Sequence, residues 1–205
     1  MLSNLTWTPR AIIAFLLLVA AGFAGNYFDV SLFFGASFIF GSAAVMVILY
    51  FYGPSYGVLA ALLTSSYTYV LWHHPYSLIT FTCEALFVGL FLRRRSNNMV
   101  LLDGIFWLLI GMPSVWLFFI HFMKMDVQAT LMIMLKQSIN GIFNTLIASL
   151  VIAYLPLSKW IGEGEKVPFA RTEPVQPSGH LRLHPGAPDH GHEQQGPFSG
   201  TGTDA

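Results

Sequence analysis

Of the 205 residues, 55% are hydrophobic and only 10% charged, ten basic and ten acidic residues cancel, and the mean hydropathy is +0.61. Those values exclude an ordinary soluble domain and point to an integral membrane protein. They also give no basic surface for nucleic acid, and the single Cys83 excludes an intrachain disulfide or a cysteine metal cluster.

In chain order, the sequence predicts six membrane spans. The run 11–27 follows Arg10 and superficially looks like a signal peptide. No Ala-x-Ala site with a polar domain behind it comes next, so it reads as a retained first helix. A second span, 32–52, carries Gly35, Ser37, Gly41, Ser42, Ala43 and Ala44, small residues that let helices approach closely. Gly53-Pro54-Ser55 is a tight turn into a third span, 56–72. Trp72-His73-His74-Pro75-Tyr76 reads as an interfacial turn with belt aromatics. The fourth span, 77–92, ends on Arg93, Arg94 and Arg95, and the fifth, 99–122, is interrupted by Gly111-Met112-Pro113, where a kink is expected. After a short loop at 124–126 the sixth runs from 127 to 157. Several of these are only ~17 residues, near the lower limit for crossing ~30 Å of hydrocarbon.

Past residue 158 the composition changes. Residues 162–205 are rich in Pro, Gly, His and Gln without apolar periodicity, which predicts a disordered tail. The expected fold is thus all-α: a six-helix membrane bundle over 1–158 and a disordered cytoplasmic tail over 159–205. One choice of codons for 173–184, read one nucleotide later, encodes an apolar segment; on that reading the tail is out-of-frame sequence.

Basic residues set the orientation. With six crossings Arg10, Arg93, Arg94, Arg95, Lys159 and Lys166 fall on one side, which the positive-inside rule makes cytoplasmic. The other side carries the nearly balanced set Asp29, His73, His74, Lys124 and Asp126. Both termini are then cytoplasmic.

The candidate site lies on the sixth span, where Lys136, Gln137, Asn140 and Asn144 fall within about 100° of one another on a helical wheel. A lysine inside hydrocarbon costs a few kcal/mol or more unless it finds a partner or a wet cavity. Glu84 is the expected partner, about 12 Å inside the outer end of the fourth span against about 14 Å for Lys136 at 1.5 Å per residue. The cluster reads either as glue between helices or as a polar cavity for a ligand or ion, with a proton relay as a third reading. Asp103 is expected to pair with the arginines or cap the fifth helix, and His73-His74 to be interface residues rather than metal ligands. No nucleophile–base pair, phosphate loop or dinucleotide fingerprint is present, so neither catalysis nor a cofactor is expected.

Five stretches carry a resemblance: 34–42 (FGASFIFGS), 52–57 (YGPSYG), 84–95 (EALFVGLFLRRR), 103–113 (DGIFWLLIGMP) and 135–144 (LKQSINGIFN). Together they resemble the N-terminal integral-membrane sensor regions of bacterial histidine kinases and diguanylate cyclases. The resemblance implies helices that detect an extracytoplasmic or membrane-borne signal and pass it to PAS, kinase or cyclase domains. The chain departs from that family in having no phosphoacceptor helix, ATP-binding motif or GG-acidic cyclase signature, so it is expected to be non-enzymatic as it stands. More loosely, it is similar to the six-helix substrate-binding subunits of energy-coupling-factor transporters, which implies a small-molecule-binding subunit instead. Expected partners are the lipid bilayer, a small-molecule or membrane-borne signal and a second copy of the chain.

Overall fold

The computed structural model describes residues 8–28, 30–33, 36–94, 98–157 and 161. Among them are six helices and one short hairpin: α1 (Pro9–Tyr27), β1 (Val30–Phe33), β2 (Ala36–Phe38), α2 (Gly41–Tyr52), α3 (Pro54–Trp72), α4 (Tyr76–Arg94), α5 (Met99–Phe122) and α6 (Val127–Tyr154). Asp29, Gly35, Arg95, Lys159, Lys166 and the tail from 162, all part of the reading above, lie outside the described residues.

The bundle is apolar outside and polar within. Leu17, Val70, Ile79, Leu109 and Met132 are all more than half exposed, whereas Thr64, Thr68, Ser77, Glu84, Asp103, Thr130, Asn144 and Thr145 are at 1% exposure or less. Water would reverse that arrangement; hydrocarbon rewards it. The chain is a helical membrane protein, and α1, α4, α5 and α6 are each long and apolar enough to cross a bilayer. Buried hydroxyls are largely satisfied inside their own helices, as Thr68 is by the Ser65 carbonyl at 2.6 Å and Thr80 by that of Tyr76 at 2.9 Å.

Helix starts follow ordinary capping. Thr8 accepts from Ala11 N–H at 3.2 Å, Asn98 from Leu101 N–H at 3.0 Å and Asp126 from Ala129 N–H at 3.0 Å. Within α5 the expected interruption takes the form of π turns at Trp107–Gly111 and Phe118–Phe122, on either side of Pro113. The Met112 N–H reaches back to the Trp107 carbonyl, a five-residue bond that widens the turn just before the proline ring.

Of the six expected spans, the second and third are not among those four helices, and the second departs further. The second was expected to be helical from residue 32, but the helix begins only at Gly41, and 30–33 and 36–38 pair as antiparallel strands with Val30 opposite Phe38. The twelve residues of α2 reach about 18 Å at 1.5 Å per residue, well short of a bilayer core. Yet α2 is central, packed on α1, α3, α4 and α6, with Val45 to Leu49 buried.

A helix that starts inside an apolar bundle leaves backbone groups to be satisfied, and two asparagines do it. Asn26 Oδ1 accepts from Gly41 N–H at 3.0 Å while its Nδ2 donates to the Thr64 carbonyl at 2.8 Å, joining α1, α2 and α3. Asn144 Nδ2 donates to the Ile39 carbonyl and to Ser42 Oγ, both at 2.8 Å. The Phe40 N–H goes to the Gly25 carbonyl at 2.8 Å. Replacing Asn26 or Asn144 by Ala strands a buried backbone group, and each should cost about 1–3 kcal/mol. Reversible unfolding in mixed micelles should show both losses; wild-type stability in either variant contradicts this role.

Candidate functional site

The interior of the bundle holds two carboxyl groups together. Glu84 sits midway along α4, Asp103 lies one turn before Trp107 on α5, and all three side chains are at 0% exposure. Residues 103 and 107 are four apart and so share a helix face, on a helix that packs against α4 and α6. Trp107 Nε1–H donates to Glu84 Oε1 at 3.3 Å. The Asp103 carboxyl interacts directly with that of Glu84 and lies beside the Thr145 hydroxyl of α6. Even so, Glu84 Oε2, both Asp103 oxygens and Thr145 Oγ1 make no hydrogen bond. A carboxylate is an acceptor only, so two of them side by side have no hydrogen to share.

The indole is held in place by missing side chains. A Cβ at Gly111, one turn along α5, or at Gly141 on α6 would overlap the Trp107 ring. Phe81 and Phe106 meet it edge-on, with centroids at 6.5 Å and 5.7 Å. Beside Glu84 is a void of about 10 Å³ whose polar lining is Asn26, Ser42, Thr64, Ser65 and Glu84 itself. That is room for roughly one water.

Two expectations about charge are corrected. The Glu84–Lys136 ion pair is not formed: Glu84 Oε1 takes the indole N–H and Oε2 has no hydrogen-bond partner. Matching depth on two helices is needed for a pair but does not decide which faces meet. Asp103, in turn, neither caps α5 nor joins the arginines, because Asn98 is the cap and Arg93 and Arg94 are exposed.

The stripe on α6 is divided. Asn140 and Asn144 are buried, Lys136 and Gln137 half-buried. Asn144 holds the start of α2, whereas Gln137 Oε1 and Asn140 Oδ1 have no hydrogen-bond partner. Asp103, Trp107 and Asn26 were not among the expected site residues. The four-residue spacing of an acid and a tryptophan inside an apolar run was the available signal for the first two.

At the turn between α3 and α4, His73 ends α3 in a left-handed conformation, with φ of 54°. His74 stacks near Trp72 at 6.2 Å and touches the rings of Phe118 and Phe119 at 5.4 Å and 5.8 Å. No cluster of three metal-binding side chains occurs among the described residues. Comparison with known protein families, with characterised proteins and with solved structures returns no match.

Two measurements check this geometry. Gly141→Ala should destabilise by about 1–3 kcal/mol through overpacking against the indole, and Trp107→Leu in the same chain should remove much of that penalty; an equal penalty in both backgrounds contradicts the slot. Partial burial among rings holds the His74 imidazole below the usual histidine value, against a smaller upward pull from its own backbone. The unfolded chain therefore binds the proton first, and stability should fall as pH drops below about 6.5. The melting temperature should drop more between pH 7.5 and 5.5 in wild type than in His74→Gln; equal drops contradict it.

Proposed function

We propose that the chain is a signal-input module of a bacterial signal-transduction protein, non-enzymatic in itself, which crosses the inner membrane six times with both ends cytoplasmic. In this topology the hairpin and α2 together make the second crossing. Non-helical backbone at membrane depth is tolerated where protein buries and satisfies it, and Asn26 and Asn144 supply that satisfaction. The less apolar α3, with Thr64, Ser65, Ser66 and Thr68, makes the third crossing inside the bundle.

The observation that carries the reading is the buried Glu84–Asp103–Trp107 group, an acid pair inside the bundle with oxygens left unbonded. Polar groups in a membrane interior are expensive to maintain and mark functional positions. A group of this kind can take two states and bias the helices that carry it, which a sensor requires. The resemblance to sensor regions, which spans both Glu84 and Asp103, points the same way. The transporter-subunit reading is the alternative; the void beside Glu84 itself has room for about one water.

Fusing residues 1–157 ahead of a cyclase output domain tests the proposal. Cyclic dinucleotide production should differ about fivefold or more from that of the same cyclase behind a passive membrane anchor, and Asp103→Asn should change it again. Output equal to that of the passive anchor, with and without the substitution, contradicts an input role.

A further inference from the structure

We propose that Glu84 and Asp103 form a proton-binding site in which the two carboxyl groups share one exchangeable proton, reached through the one-water void beside Glu84. This rests on the sensor reading and deepens it: the proton becomes a ligand of the input module.

Three observations converge. First, both groups are fully buried and interact directly, yet Glu84 Oε2 and both Asp103 oxygens lack any hydrogen bond. One proton turns one of these acceptors into a donor and joins the pair. Second, the void is lined by Glu84 but not by Asp103 or Thr145, so it lies to one side of the pair and not between the two carboxyls. A metal ion bridging them would need space there; a proton needs none. Third, the single negative charge left after protonation is well placed. It meets the Trp107 N–H, and Ser42 in the first turn of α2 lines the same void, so the positive end of that helix is turned towards it.

The surrounding helices offer little other charge. Neither α2 nor α3 contains an acidic or basic residue, and the Tyr52 hydroxyl of α2 donates to the Ala11 carbonyl at 2.8 Å. On α1 the only charged residue is the exposed Arg10. The α4 helix adds Cys83, Arg93 and Arg94, all exposed, and α5 adds the exposed His121. On α6 Lys136 is half-buried, about 13.5 Å along the axis from Thr145 beside Asp103 and about 7.5 Å from Gly141, against which the Trp107 ring packs. The exchange balances as a proton transfer: a hydronium ion of the aqueous phase, relayed by a water entering the void, gives its proton to one carboxyl oxygen and is left as water, and the reverse step breaks that O–H bond and returns the proton to water.

Infrared pH titration of the full chain in lipid nanodiscs, at fixed and then varied sodium, provides the test, with Trp107 emission isolated by subtracting Trp107→Phe. The expected result is one protonated-carboxyl C=O band that titrates as a single proton, indifferent to sodium, with Trp107 emission changing at the same midpoint. Glu84→Gln and Asp103→Asn should each move that midpoint by about one pH unit or more, or abolish the band. If neither variant folds, the wild-type band and the Trp107 emission must still titrate together. A midpoint unmoved by either substitution, a band displaced by sodium at constant pH, or tryptophan emission that ignores the titration overturns the proposal. This titration uses no output domain, so its failure leaves the sensor reading standing, just as a silent cyclase fusion leaves the proton site standing.

Discussion

Hydrocarbon offers no hydrogen bonds, so every polar group placed in it must be answered from within the protein. That constraint accounts for the most unusual feature of the bundle, the short α2 that begins after a hairpin. A continuous helix would have satisfied its own backbone. The break exposes the Ile39 carbonyl and the Gly41 N–H, and side chains from α1 and α6 reach across to them. Asn26 and Asn144 thereby tie the first, second, third and last helices to one point, and the same point opens onto the void beside Glu84.

The acid pair obeys the same constraint less completely. Glu84 has one hydrogen bond, from an indole N–H seated between Gly111 and Gly141, and Asp103 has none. Replacing these acids by apolar residues of similar volume would remove several buried unbonded oxygens, and such exchanges are often neutral or stabilising. Their presence is thus better explained by what the site does than by what it adds to stability. On the proposed sensor reading, a group that can take two states is what would bias the helix arrangement.

Much of this was legible in the sequence. Composition settled the membrane class, Gly53-Pro54-Ser55 marked the turn into α3, and Gly111-Met112-Pro113 marked the irregularity in α5. Glu84 and the α6 stripe stood out because a polar residue in an apolar run is conspicuous. Other features were not legible, for physical reasons. Residues 30–40 have the same apolar composition whether they form a helix or a hairpin, and a bundle interior can stabilise either. Asp103 is only four residues into its helix, where an acid ordinarily caps or faces the headgroups; only the packing of α5 against α4 reveals it as buried. Asn26 looked like the polar end of a span because its partners, Gly41 and Thr64, are 15 and 38 residues away. Depth along a helix can be counted from sequence, but which faces of two helices meet cannot, and that is why Lys136 was matched to Glu84.

The central claim is that Glu84 is coupled to Asp103 and not to Lys136. A pair of double-mutant cycles measured by reversible unfolding in one lipid–detergent mixture tests it most directly, using Glu84→Gln with Asp103→Asn and Glu84→Gln with Lys136→Met. The account predicts a coupling of about 1 kcal/mol or more in the first cycle and additivity within about 0.5 kcal/mol in the second. The reverse pattern, additive with Asp103 and coupled with Lys136, would contradict it.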